Sequence, residues 1–175
     1  MSRCYLDTNF IYAHLRSKRG GTLGPVEAWR ARVLDEMDGD GVISALVIDE
    51  LAYWLILAWL RDDGDGDPLS TYRTDARTVM QTMRRRLATT WKAVDSLSLE
   101  LQPTEHSVIA RAKSLMSRPG LSPRDAFHAA HALTAGCTAI ASGDSAFDRV
   151  SGLRLLAPGE EGLGGGPKTL GGSLA

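Results

Sequence analysis

Short apolar runs alternate with longer stretches whose apolar positions recur at helical spacing. Residues 3–6, 41–44, 137–141 and 153–156 read as strands, being brief, apolar and bounded by turn residues, and 97–101 alternates like a strand. Residues 10–16, 26–37, 46 to 59 or 60, 71–91, 105–116 and 123–135 read as helices. The Gly- and Pro-containing segment 19–25 is a loop, and the run Asp62-Asp63-Gly64-Asp65-Gly66-Asp67-Pro68 breaks the helix before it. Ser122-Pro123-Arg124-Asp125 carries a helix start: serine at the cap, proline in the first helical position and an acid three residues after the cap. After Pro158 the sequence GEEGLGGGPKTLGGSLA has too little apolar content to pack, and 159–175 reads as a disordered tail.

Strands separated by helices predict right-handed crossovers and an α/β fold: a mostly parallel sheet in a three-layer α/β/α sandwich. Sites in such sheets form beyond the carboxyl ends of the strands. Asp7 follows the first strand in CYLDTNFIY, and Asp144 follows the fourth in AIASGD. A length of 175 residues fits one domain, assigned to 1–158. The formal net charge of −1 provides no global attraction for a polyanion, which would have to be held by a local patch or through a bound cation. Cys4 and Cys137 lie far apart and read as buried small hydrophobes in a reducing compartment. The start lacks a secretory signal, and the longest apolar stretch, 51–60, falls short of the ~20 residues that span a bilayer. The expectation is a cytoplasmic protein with no membrane partner.

Asp7 alone has a plain explanation, the capping of the helix behind it. Glu50 resists such an account. Its helical neighbours Leu46, Val47, Tyr53 and Trp54 are apolar, and a carboxylate on that face needs a positive group nearby unless it reaches water at the stripe's edge. Asp125 is explained by the capping box, although an acid in a first turn can also project into a shared crevice. Asp148 stands four residues after Asp144 and flanks the same place if 146–150 forms a helical turn; a solvated position is the alternative. No arginine or lysine is paired with these acids in the sequence. Gathered together they would repel, and oxygen donors of this kind suit Mg2+ or Mn2+ rather than zinc. Such an ion lowers the pKa of a water and steadies a leaving oxygen.

Other motifs carry less. Counted from Asp63, the acidic loop puts Pro68 where a calcium loop needs glycine and Thr74 where it needs glutamate. His128 and His131 stand three apart, not at the zinc-protease spacing; one of them is placed to hydrogen-bond Asp125, and neither reads as a metal ligand. Arg84, Arg85 and Arg86, with Arg73, Arg77 and Lys92, form a basic helix that is either a solvated face, paired with Asp75, or a contact surface for an RNA backbone. Trp29, Trp54, Trp59 and Trp91 read as core or dimer contacts.

The order Asp7 in LDTN, Glu50 in ISALVIDELAYW, Asp125 in LSPRDAFHAAHAL and Asp144 in ASGDSAFDRVSGLRLL resembles PIN-domain ribonucleases, and most closely the VapC-type toxins of bacterial toxin–antitoxin pairs. The resemblance spans residues 3–156. It implies a metal-dependent endoribonuclease with Asp7, Glu50, Asp125 and Asp144 as the acidic Mg2+ or Mn2+ site. Thr8, Asn9 and Ser142 would be polar supports and Asp148 an auxiliary acid. It further implies cleavage of RNA to 5′-phosphate and 3′-hydroxyl ends, a homodimer, and inhibition by a cognate antitoxin. Ser142-Gly143 departs from the threonine or asparagine common before the last acid, and the segment 59–91 is longer than in compact members. Two other readings stay open. One is a catalytically inactive PIN-like binding module. The other is a phosphatase with an aspartyl nucleophile, against which stands Asn9 at the position of the expected second acid.

Overall fold

The computed structural model describes residues 3–17, 25–37, 41–118 and 120–159. Five strands form one sheet: β1 (Cys4–Leu6), β2 (Gly41–Ser44), β3 (Glu100–Gln102), β4 (Ala139–Ala141) and β5 (Arg154–Leu156). Their order is β3-β2-β1-β4-β5, and every pairing is parallel. Tyr5 is in register with Val42 on one side and Ile140 on the other. The sheet is thus wholly parallel: helices join β1 to β2, β2 to β3 and β3 to β4, and a short 3-10 segment joins β4 to β5.

The helices are α1 (Thr8–Ser17), α2 (Pro25–Glu36), α3 (Ala45–Asp62), α4 (Pro68–Thr74), α5 (Ala76–Asp95), α6 (His106–Ser117) and α7 (Pro123–Thr134), with a 3-10 turn at Ser145–Arg149. β1, β2 and β4 are buried along their whole length because helices cover both faces, as their uninterrupted apolar runs require. The outer β3 and β5 keep exposed positions. Cys4 and Cys137 are buried free thiols, and burial pushes their pKa values up to about 12 and about 11, so both stay protonated.

Three elements differ from the pattern read in the sequence. The basic stretch 71–91 belongs to two helices, because Asp75 leaves helical geometry (φ −144°) and caps α5 by accepting from the Thr78 amide at 3.0 Å. The acidic run before it is also capping chemistry: Asp67 caps α4, accepting from Ser70 N at 3.2 Å. The third strand starts at Glu100, since α5 unwinds through a turn at Ser98 with φ 52° and leaves Leu97 and Leu99 packed against the core. The fourth strand begins at Ala139, two residues later than the apolar run. Gly136, at φ +73°, ends α7 and lets the Cys137 amide reach back to Ala132 O at 2.9 Å before the chain enters the sheet. The expectations for 19–24 and 160–175 lie outside the described residues.

Candidate active site

β1 ends at Leu6, and the next amide, Asp7 N, still donates to Ala141 O at the end of β4. That bond brings the carboxyl ends of the two central strands together, and with them Asp7 and Ser142. Asp7 O accepts from Phe10 and Ile11, so its backbone does start α1. Its side chain does something else. Oδ1 accepts from Thr8 N at 2.7 Å, while Oδ2 accepts from Asn9 Nδ2 at 3.0 Å and Ser142 Oγ at 2.6 Å. The carboxylate is turned toward β4 and away from the amides of the second and third helical residues, which a capping aspartate serves.

Asn9 and Ser142 lock this arrangement. Asn9 Nδ2 also donates to Ser142 Oγ at 3.1 Å, and its Oδ1 accepts from Gly143 N at 2.9 Å. Ser142 Oγ accepts in turn from the Asp144 amide at 3.0 Å. The departure Ser142-Gly143 therefore keeps a hydroxyl in contact with Asp7.

Glu50 comes from α3, directly after β2, and is 6% exposed. Its burial on an apolar face predicted a nearby positive group, and two stand there. His128 Nε2 is 3.0 Å from Oε2, and Arg124 Nη1 is 3.2 Å from Oε1. Thr8 Oγ1 donates to Oε2 at 2.6 Å. Burial alone would raise the Glu50 carboxyl; His128, followed by Thr8 and Arg124, reverses this and holds it below its ordinary value. Burial likewise disfavours charge on His128, but Asp7 and Glu50 outweigh it and place the imidazole pKa above its ordinary value. His128 Nε2 also lies 3.6 Å from Asp7 Oδ1.

Asp7, Glu50 and His128 each offer a donor atom, and these atoms lie within 4.8 Å of one another. That donor set, two carboxylate oxygens and an imidazole nitrogen converging on one point, suits a divalent cation. Asp125 and Asp144 are not in this tight group among the described residues. Asp125 accepts from Ser122 Oγ at 2.6 Å in the expected capping box, and Asp144 accepts from Ala146 N at 2.8 Å. Both are nonetheless close in the electrostatic sense. Burial first, then the charges of Asp144 and Asp7, push the Asp125 carboxyl up against the opposing Ser122 bond. Asp148, on the 3-10 turn, is exposed.

On the basic helix Arg84, Arg85 and Arg86 are all exposed. Arg86 pairs with Asp63 at 2.8 and 2.9 Å, rather than with Asp75, and lies over the Trp59 ring.

Residues 4–153 match the family described as PIN domain. The chain belongs to the PIN domain family. PIN domains are typically nucleases and use divalent metals. Among solved structures, the fold is similar to a toxin–antitoxin complex from Klebsiella pneumoniae, at 14% identity over 87% of this chain and 97% of that one, with a TM-score of 0.50. It is also similar to FitAcB from Neisseria gonorrhoeae, at 19% identity over 89% and 97% of the two chains, with a TM-score of 0.48. No curated protein sequence matches. No described helix of this PIN domain is long and apolar enough to cross a membrane.

Arg124 and Tyr5 had no place in the site expected from the sequence, and His128, expected to be no ligand and near Asp125, stands among the convergent donors. Arg124 lies one residue before Asp125, in the first turn of α7, and reaches Glu50 on another helix. His128 is one helical turn beyond Asp125, a spacing that puts the two on one face, and it bonds Glu50 rather than Asp125. Tyr5, in the middle of β1, places its hydroxyl 3.0 Å from His128 Nδ1.

Proposed function

We propose that this PIN domain is a Mg2+- or Mn2+-dependent endoribonuclease, the toxin of a toxin–antitoxin pair, working in the cytoplasm. The observation that carries the nuclease reading is the convergence of Asp7 Oδ1 and Glu50 Oε2, both buried and both held by Thr8, at the carboxyl ends of β1 and β2. Asp7 and Glu50 would hold the ion, with Asp125 and Asp144 reaching it through water or by side-chain rotation. The bound ion supplies a water of lowered pKa and a positive charge for the phosphate and leaving oxygens.

The protein's own residues do the positioning. Asn9 and Ser142 fix the Asp7 carboxylate so that no rotamer freedom is lost when an ion arrives. Thr8 bridges the two acids. Arg124, with an exposed guanidinium next to Glu50, is placed to bind the phosphate of an incoming strand. Asp148 would act as an auxiliary acid. Arg84 and Arg85 would hold the RNA backbone, with Arg86 largely committed to Asp63.

The antitoxin partner is supported by fold likeness alone. A homodimer is supported by exposed apolar side chains, Leu101 on the outer strand β3 and Ile109 on α6. Incubating the purified chain with total RNA and sequencing the ends tests the enzyme reading. Cleavage that stops on chelation, returns with Mg2+ or Mn2+ and leaves 5′-phosphates is the expected result. Intact RNA under all these conditions favours the inactive binding module.

A further inference from the structure

Of the three convergent donors Asp7, Glu50 and His128, the histidine alone is not an acid, and its surroundings are built. The ring is 2% exposed, with Nε2 facing both carboxylates, 3.0 Å from Glu50 Oε2 and 3.6 Å from Asp7 Oδ1. Adjacent donors around a six-coordinate ion with bonds of about 2.1 Å stand roughly 3 Å apart. Nε2 stands 3.0 and 3.6 Å from the two acids, near the separation of neighbouring ligands, and all three donor atoms lie within 4.8 Å of one another, with Nε2 here engaged in a hydrogen bond to Glu50.

The other side of the ring bears on this. Nδ1 is 3.0 Å from Tyr5 OH, which is 2.7 Å from Ser44 Oγ. Tyr5 and Ser44 are both fully buried. Metal-bound imidazoles donate their second N–H to a fixed acceptor, which sets the ring orientation and leaves the facing nitrogen's lone pair for the ion. A hydroxyl chain accepts such a proton as readily as it donates one: Nδ1–H to Tyr5, and Tyr5 to Ser44. No carboxylate stands on that side of the ring among the bonds His128 makes.

We propose that His128 is a nitrogen ligand of the ion pocket, oriented by Tyr5 and Ser44, and that it tilts the site toward Mn2+ over Mg2+. The inference rests on the pocket's being the ion site proposed above. As the metal–nitrogen bond forms, the proton on Nε2 leaves to solvent and Nδ1–H donates to Tyr5. Imidazole favours transition ions, whereas Mg2+ holds to oxygen and gives up its waters reluctantly.

The test is pulsed electron paramagnetic resonance on the full chain loaded with Mn2+. Nitrogen modulation from 14N is expected in the wild type and should change to the 15N pattern when only histidine is 15N-labelled, a comparison that needs no substitution. His128→Asn should abolish it and His131→Asn should keep it. Calorimetry should show the Mn2+-to-Mg2+ affinity ratio falling about tenfold in His128→Asn. Mn2+ that depends on Asp7 but shows no nitrogen modulation overturns the imidazole ligand and leaves the carboxylate pocket standing. Mn2+ that fails to bind, or binds Asp7→Asn equally well, overturns both.

Discussion

Ser142 donates to Asp7 at 2.6 Å although 135 residues separate them in the chain. The contact joins the ends of β1 and β4, and the same hydroxyl accepts from Asn9 and from the Asp144 amide. Ser142→Ala should therefore leave an amide and a carboxylate oxygen short of a partner. We expect a loss of about 1–3 kcal/mol in urea unfolding, with weaker Mn2+ binding by calorimetry. Unchanged stability would mean that the three bonds are replaced by water at no cost.

His131 provides a pH test away from the acids. It is 2% exposed, Nε2 lies 3.3 Å from Thr104 Oγ1, and Nδ1 has no hydrogen-bond partner among the described residues. Burial, helped by His128, lowers its pKa to about 4 from 6.5. Between those values the unfolded chain binds more protons than the folded one, so stability falls as pH drops from 6.5 toward 4 and is fully present above. His131→Leu should remove up to about 3 kcal/mol of that slope. Parallel curves for the two proteins would contradict the buried neutral imidazole.

Gly41 opens β2 beneath three core side chains. A Cβ there would lie 2.6 Å from Leu99 Cδ2, 3.1 Å from Met37 Cε and 3.2 Å from Leu6 Cδ1. Gly41→Ala should cost about 1–3 kcal/mol in thermal or urea unfolding, as one overpacked methyl does. A stabilised variant would show that these side chains yield without strain.

Exposed Arg84 and Arg85 offer a test of the RNA surface. Replacing both with alanine should weaken RNA binding and reduce its salt slope by about 1–2. The cation affinity of the pocket should not change. An unaltered slope would move the backbone contact elsewhere, with Arg124 the next candidate.

Much of this was legible in the chain. Apolar runs marked the buried β1, β2 and β4 because buried parallel strands need no alternation, the alternation of 97–101 marked the outer β3, and the Ser122 capping box set the start of α7 to the residue. Glu50 on an apolar face pointed to a positive neighbour. The identity of that neighbour was not legible, since His128 and Arg124 lie more than seventy positions away and meet Glu50 only through the crossover of α7 over β1 and β2. Ser98 and Asp75 were missed for a different reason: local backbone turns override apolar spacing, serine seldom takes a positive φ, and a capping aspartate inside a charged, helix-periodic stretch reads as one more surface acid.

The central claim is that Asp7 and Glu50 form one cation site. Calorimetric titration of Mn2+ into the full chain and into Asp7→Asn tests it most directly. A single Asp7-dependent site in the wild type, abolished in Asp7→Asn with the fold intact by circular dichroism, is the predicted result. Equal binding by the two proteins, or none by either, would contradict it.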